Sequence, residues 1–178
     1  MKTHLGATAL LAAGVLTLAA CGAGASGSGG APATDSGNTL RVGIKFDQPG
    51  LGFQDGSTYT GFDVDVAKFV ACQLGYAEDQ IEFVSSPSAQ RENLLQTGQV
   101  DMIFATYSIT DARKEVVDFA GPYFVAGQDL LVRQDENAIT GPDTLTGKKL
   151  CSVTGSTSAQ KIKDKVPGVN LQEFGTYS

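Results

Sequence analysis

Histidine is nearly missing from this chain. The one present, His4, stands in a stretch with the marks of a removable leader. Beyond that leader no imidazole remains, which excludes His-dependent triads and His-ligated metal sites among the given residues. Basic charge is scarce as well. Of 13 Lys and Arg only Lys2 precedes Cys21, so 12 remain against 19 Asp and Glu, a net of about −7. No basic stripe survives, and nucleic-acid binding is not expected. Long apolar runs are also lacking. The most apolar stretch, Leu5 to Ala20, falls short of the about 20 residues that a membrane span needs. Internal repeats and heptads are absent, which sets aside solenoids and coiled coils.

What is there begins with a secretory leader over residues 1–20, with Lys2 at its positive start and a Leu- and Ala-rich core. It ends Leu18-Ala19-Ala20-Cys21, small residues before a cysteine, and reads either as a lipobox in which Cys21 is diacylated and becomes the mature N-terminus or as an ordinary signal peptide with a chance cysteine. Residues 21–38 are nearly all Gly, Ala, Ser, Thr and Pro. Too few apolar side chains remain there to bury, so the segment should act as a flexible tether. Acyl anchoring is energetically sound, since each buried methylene adds roughly 0.8 kcal/mol. The expected location is the extracytoplasmic face of the cell membrane.

Past the tether, strand and helix patterns alternate, which argues for an α/β fold with a parallel sheet. Leu40 to Phe46 alternates apolar and polar residues as a strand does. Phe62, Val66, Phe69 and Val70 fall at helical spacing, predicting a helix over 63–74 ended by Gly75. A short strand follows at 81–84. A helix is expected over 88–97, with Ser88 as N-cap and Gly98 past its end. Further strands are expected at 100–105 and 130–133, a helical turn at 143–145, a strand at 149–153, a helix over 158–165 and a last strand at 169–173.

Three groups could carry chemistry. Thr106 and Ser108 lie just past the strand 100–105, and Arg113 lies five residues beyond Ser108. Hydroxyls at the carboxyl end of a parallel strand face the crevice where open sheets bind ligands. A guanidinium nearby can take a carboxylate bidentately. The group reads as an anion site suited to an α-carboxylate, or else as a polar loop with a surface arginine. Gly155-Ser156-Thr157 lies between strand and helix, as an anion-binding helix start or simply as an N-cap through Ser156 or Thr157. Lys45 ends the first strand, and Arg91 sits in a first helical turn, where a cation opposes the macrodipole. Both are either functional cations or solvated surface charges. No carboxylate is set out as a general acid or base.

The ordered words RVGIKFDQPGLG, GFDVDVAKFVA, SPSAQRENLLQTGQVDMIFATYSITDAR, GPY, LLVRQDE and LCSVTGSTSAQKIKDKVPGVNLQEFGTYS, all within residues 40–178, carry a resemblance. They resemble the polar amino-acid group, family 3, of extracytoplasmic solute-binding proteins that feed ABC importers, and among them the glutamate-binding lipoproteins of actinobacteria. The resemblance implies a periplasmic-binding-protein type II fold of two lobes, with 39–133 in lobe 1 and 134–178 at the start of lobe 2. It further implies that the chain stops about two fifths short of the mature family pattern, having crossed near 133–136 without returning.

The resemblance also implies that Thr106, Ser108 and Arg113 hold the ligand's α-carboxylate and part of its ammonium. Ala105 stands where some relatives have another hydroxyl. Thr157 would add a carboxylate contact when the lobes close. Lys45 and Arg91, with Ser88 beside them, would hold a side-chain carboxylate, so the ligand would be L-glutamate or, second, L-aspartate. Phe46 or Phe53 would cap the ligand, or serve the core. A permease and its ATPase are the implied partners, and no cofactor or metal is implied. Cys151 would pair with a cysteine soon after Ser178, while Cys72 reads as a small buried apolar residue. The rival readings are a ligand-sensing receptor domain and a dehydratase or lyase on the same fold.

Overall fold

A computed structural model describes residues 39–177. The leader, Cys21 and the tether lie outside the described residues. The parallel sheet is built on β1 (Leu40–Ile44), which runs between β5 (Ile81–Ser85) and β6 (Met102–Ile103). Its register pairs Leu40 with Ile81 and Val42 with both Phe83 and Met102. A central strand must be apolar on both faces. Val42 and Ile44 are accordingly without solvent exposure. Helix α1 (Phe62–Gln73) lays Val64, Ala67 and Ala71 over them. Each fully buried Val or Ile contributes about 1.5–3 kcal/mol of hydrophobic stabilisation.

Between β1 and α1 the chain makes a small antiparallel sheet of β2 (Asp47–Gln48), β3 (Gly52–Asp55) and β4 (Thr58–Thr60). Gly56-Ser57 is the two-residue turn between β3 and β4, a hairpin that hydrophobic periodicity did not predict. After β5 comes a 3-10 turn, Ser88–Gln90, and then α2 (Arg91–Gln96). Ser88 is therefore not an N-cap. It is buried inside the 3-10 turn, and α2 carries no side-chain cap. Helix α3 (Asp111–Lys114) is capped by the Thr110 hydroxyl, which accepts from the Arg113 N–H.

The second sheet is smaller. Strand β7 (Lys149–Val153), helix α4 (Thr157–Lys165) and β8 (Asn170–Phe174) form one parallel unit. The apolar residues buried in and around it are Leu145, Val153, Ala159 and Ile162. All these elements fall in one compact unit. Three expectations are corrected here. The strand expected at 100–105 shortens to Met102–Ile103, because only Val42 and Gly43 of β1 pair with it. Residues 130–133 form no strand, since nothing among the described residues pairs with them and Leu131 is wholly exposed. Cys72 lies on the solvent side of α1 rather than in the core, and it is not joined to Cys151. No helix among the described residues is long and apolar enough to cross a membrane.

Candidate functional site

The carboxyl ends of β1, β5 and β6 open toward the loop before α4. A cavity of about 170 Å³ lies between them. Six of the seven expected ligand contacts line it: Ser88, Arg91, Thr106, Ser108, Arg113 and Thr157. The seventh, Lys45, does not. Its buried ammonium is 3.0 Å from Asp47 Oδ1 and lies over the Tyr177 ring. Neither Phe46 nor Phe53 lines the cavity; Phe46 packs against the core instead.

Arg91 is the unusual group. It opens α2 and is only 2% exposed. Its Nε donates to the Ser86 carbonyl at 3.2 Å, while Nη2 is buried with no hydrogen-bond partner. Burial, followed by the nearby Arg113 cation, pushes its pKa down to about 10. A buried unpaired cation is costly. Its geometry traces to Gly43. A Cβ there would stand 2.3 Å from Ser86 Oγ, so only glycine lets Ser86 pack against β1 and present its carbonyl.

Arg113 is better satisfied. Nε donates to Glu92 Oε1 at 2.8 Å, Nη1 to the Ser108 carbonyl at 3.0 Å and Nη2 to the Gly155 carbonyl at 3.3 Å. A guanidinium carries five N–H donors, so two remain for the cavity. Both Arg91 and Arg113 lie over the ring of Tyr107.

Thr106 has φ +49°, a rare conformation for a β-branched residue. Asp63, buried in the first turn of α1, holds it there. Asp63 Oδ2 accepts the Thr106 N–H at 3.2 Å, and Oδ1 accepts the Tyr123 hydroxyl at 2.8 Å. Burial, followed by Asp63, raises the Tyr123 pKa and keeps that hydroxyl a donor. The Thr106 hydroxyl reaches Gln48 Oε1 at 3.2 Å.

On the opposite wall the two capping alternatives separate. Ser156 is the N-cap of α4 and accepts from the Ala159 N–H at 3.0 Å. That leaves Thr157 free, and its hydroxyl meets Ser108 Oγ at 2.6 Å. Gly155 has φ +73°, and a Cβ there would stand 2.7 Å from Ala89 Cα. The two walls are therefore in contact.

Sequence reasoning missed Gln48 and Tyr177 in the lining, and Asp63, Glu92 and Tyr107 behind it. Gln48 belongs to the unforeseen hairpin. Tyr177 reaches the site because its N–H donates to Asp47 Oδ2, across 130 residues of chain, and no local pattern signals that. Asp63 had a signal: an acidic first-turn residue inside an apolar helix face. No acidic side chain lines the cavity, and no group of metal-ligating side chains occurs among the described residues.

Comparison with known proteins gives a family. The sequence model of the bacterial extracellular solute-binding proteins, family 3, matches residues 40–171. The glutamate-binding protein GluB of Corynebacterium glutamicum is 53% identical over 180 residues, covering 98% of this chain and 60% of that protein. A glutamine-binding protein of Geobacillus stearothermophilus is 39% identical over 141 residues, covering 78% and 54%. Among solved structures, an ancestral arginine-binding protein bound to glutamine matches with a TM-score of 0.73 at 38% identity, over 79% of this chain and 61% of that one. The chain thus spans about 60% of the length of these curated relatives.

Proposed function

This chain belongs to the bacterial extracellular solute-binding proteins, family 3, and from that premise we propose that it is the binding component of an ABC amino-acid importer with glutamate as its ligand. One observation carries the choice of an acidic ligand: Arg91 is buried, lines the cavity and has a nitrogen with nothing to bind. A side-chain carboxylate would complete it. Arg113 still has two N–H donors and would take the α-carboxylate, with the Thr106 and Ser108 hydroxyls beside it. Lys45 is already neutralised by Asp47, so in this reading Arg91 is the primary selector and Lys45 supports the wall.

In the complete protein two lobes would close on the ligand by a hinge motion, with 39–133 in the first and 134–178 beginning the second. Thr157 would join the ligand on closure. Cys21 would bear the lipid that keeps the protein at the extracytoplasmic face, within reach of a permease and its ATPase. No bond is made or broken.

Titration of the complete protein with glutamate and glutamine, as wild type and as Arg91→Gln, tests the ligand. Arg91→Gln should lower glutamate affinity relative to glutamine by roughly 1.5–3 kcal/mol, the worth of a hydrogen bond to a charged group. An unchanged ratio rejects the acidic ligand and leaves glutamine as the favoured one.

A further inference from the structure

We propose that the Tyr107 ring is the positioning residue that fixes the separation of the two guanidiniums, and through it the length of dicarboxylic amino acid that the cavity prefers. The inference rests on the reading that Arg91 and Arg113 each take one carboxylate. Arg113 Cζ lies 4.7 Å and Arg91 Cζ 5.3 Å from the Tyr107 ring centroid, both inside the range of cation–π attraction.

The two cations differ in what else holds them. Arg113 is fixed by three hydrogen bonds that it donates, to the Glu92 carboxylate and to the Ser108 and Gly155 carbonyls. Arg91 has a single bond, from Nε to Ser86. One bond fixes only one edge of a guanidinium, so its neighbours must set the rest. What then sets the plane of Arg91 is the surface it rests on. The negative face of the ring also offsets the repulsion between two like charges in a site with no lining carboxylate.

Tyr107 is well held for this task. Its ring packs on Phe119 with centroids 5.0 Å apart at 58°. Its chain neighbours are Thr106, bonded to Asp63, and Ser108, bonded to Thr157. Its hydroxyl lies near Glu92 yet makes no hydrogen bond of ordinary geometry, so the ring is the working part.

The test is calorimetric titration of the complete protein with aspartate, glutamate and 2-aminoadipate, which differ by one methylene each. Wild type is compared with Tyr107→Phe, which keeps the ring, and with Tyr107→Met and Tyr107→Leu, which fill similar space without one. Wild type should favour one chain length. Tyr107→Phe should keep the glutamate-to-aspartate ratio within twofold. Tyr107→Met should shift it at least fivefold toward unity, and Tyr107→Leu serves if the Met variant fails to fold. Equal weakening of all three ligands in the ringless variants makes Tyr107 a packing residue and overturns the proposal, as does a Tyr107→Phe shift as large as that of Met. If wild type binds none of the three, the acidic-ligand reading fails and the proposal falls with it. Preference for an acidic ligand combined with an unchanged length ratio sinks the proposal alone.

Discussion

The two walls of the cavity are made of different material. The first, at the carboxyl ends of β1, β5 and β6, holds both cations, Arg91 and Arg113, and the strained Thr106. It rests on a strand buried on both faces. The second, at the start of α4, offers Ser156, Thr157 and Ser158 and carries no charge. It rests on the parallel pair of β7 and β8. Charge needs a rigid frame, because a guanidinium must be aimed and an unaimed one costs its desolvation. Hydroxyls tolerate a looser frame, since an O–H rotates to suit its partner. In the proposed reading, recognition resides in the first wall and closure in the second.

The sharpest way to break that contrast is Arg113→Ala. Arg113 serves both walls, through Ser108 on one and Gly155 on the other. Removing one partner of a buried charge pair costs on the order of 2–5 kcal/mol. Titration of the complete protein should therefore show every amino-acid ligand weakened by about 30-fold or more. Loss below threefold, with circular dichroism unchanged, would remove Arg113 from the site.

Gly155→Ala should come next. Its φ of +73° and the 2.7 Å approach to Ala89 are separate penalties. The backbone strain, of order 1–3 kcal/mol, acts whether or not the walls meet. The clash with Ala89 acts only when they do. Melting of the ligand-free protein reads the first, and affinity reads the second. We expect lower thermal stability together with roughly tenfold weaker binding. Lower stability with full affinity would mean that the walls do not meet this closely around ligand.

Much of this was legible in the sequence, and the remainder was hidden for physical reasons. The β1–α1 and β7–α4–β8 elements are legible from periodicity, because their buried apolar residues recur at strand or helix spacing. The cluster of Thr106, Ser108 and Arg113 was legible because a strand end and the next helix lie close in the chain. The β2–β4 sheet was not, because strands of two to four residues leave too little pattern to read. The pairing of Lys45 with Asp47 was hidden for a different reason. Two residues apart on an extended chain their side chains share a face, so the spacing allows the pair but does not tell it from two solvated charges. Tyr107 carries no signal of its own in the sequence. Its contact with two cations depends on Arg91 and Arg113, which lie on either side of it in the chain.

The smallest predicted effect probes the seam itself. Ser108 and Thr157 meet hydroxyl to hydroxyl at 2.6 Å, with either able to donate. One proton is spent on the bond, and the other remains for a ligand. The pair should therefore act as one donor shared by two walls. Ser108→Ala and Thr157→Val should each weaken binding by about 0.5–1.5 kcal/mol, the net worth of one hydrogen bond. Once either hydroxyl is gone the other has already lost its partner, so removing it costs less. The double variant should fall short of the summed losses by at least ~0.5 kcal/mol, the coupling expected of residues in contact. Calorimetry on the four proteins of this cycle measures the difference. Strict additivity would mean that the hydroxyls act independently, and the coupling of the two walls would then rest on their other contacts, Arg113 and Gly155 among them.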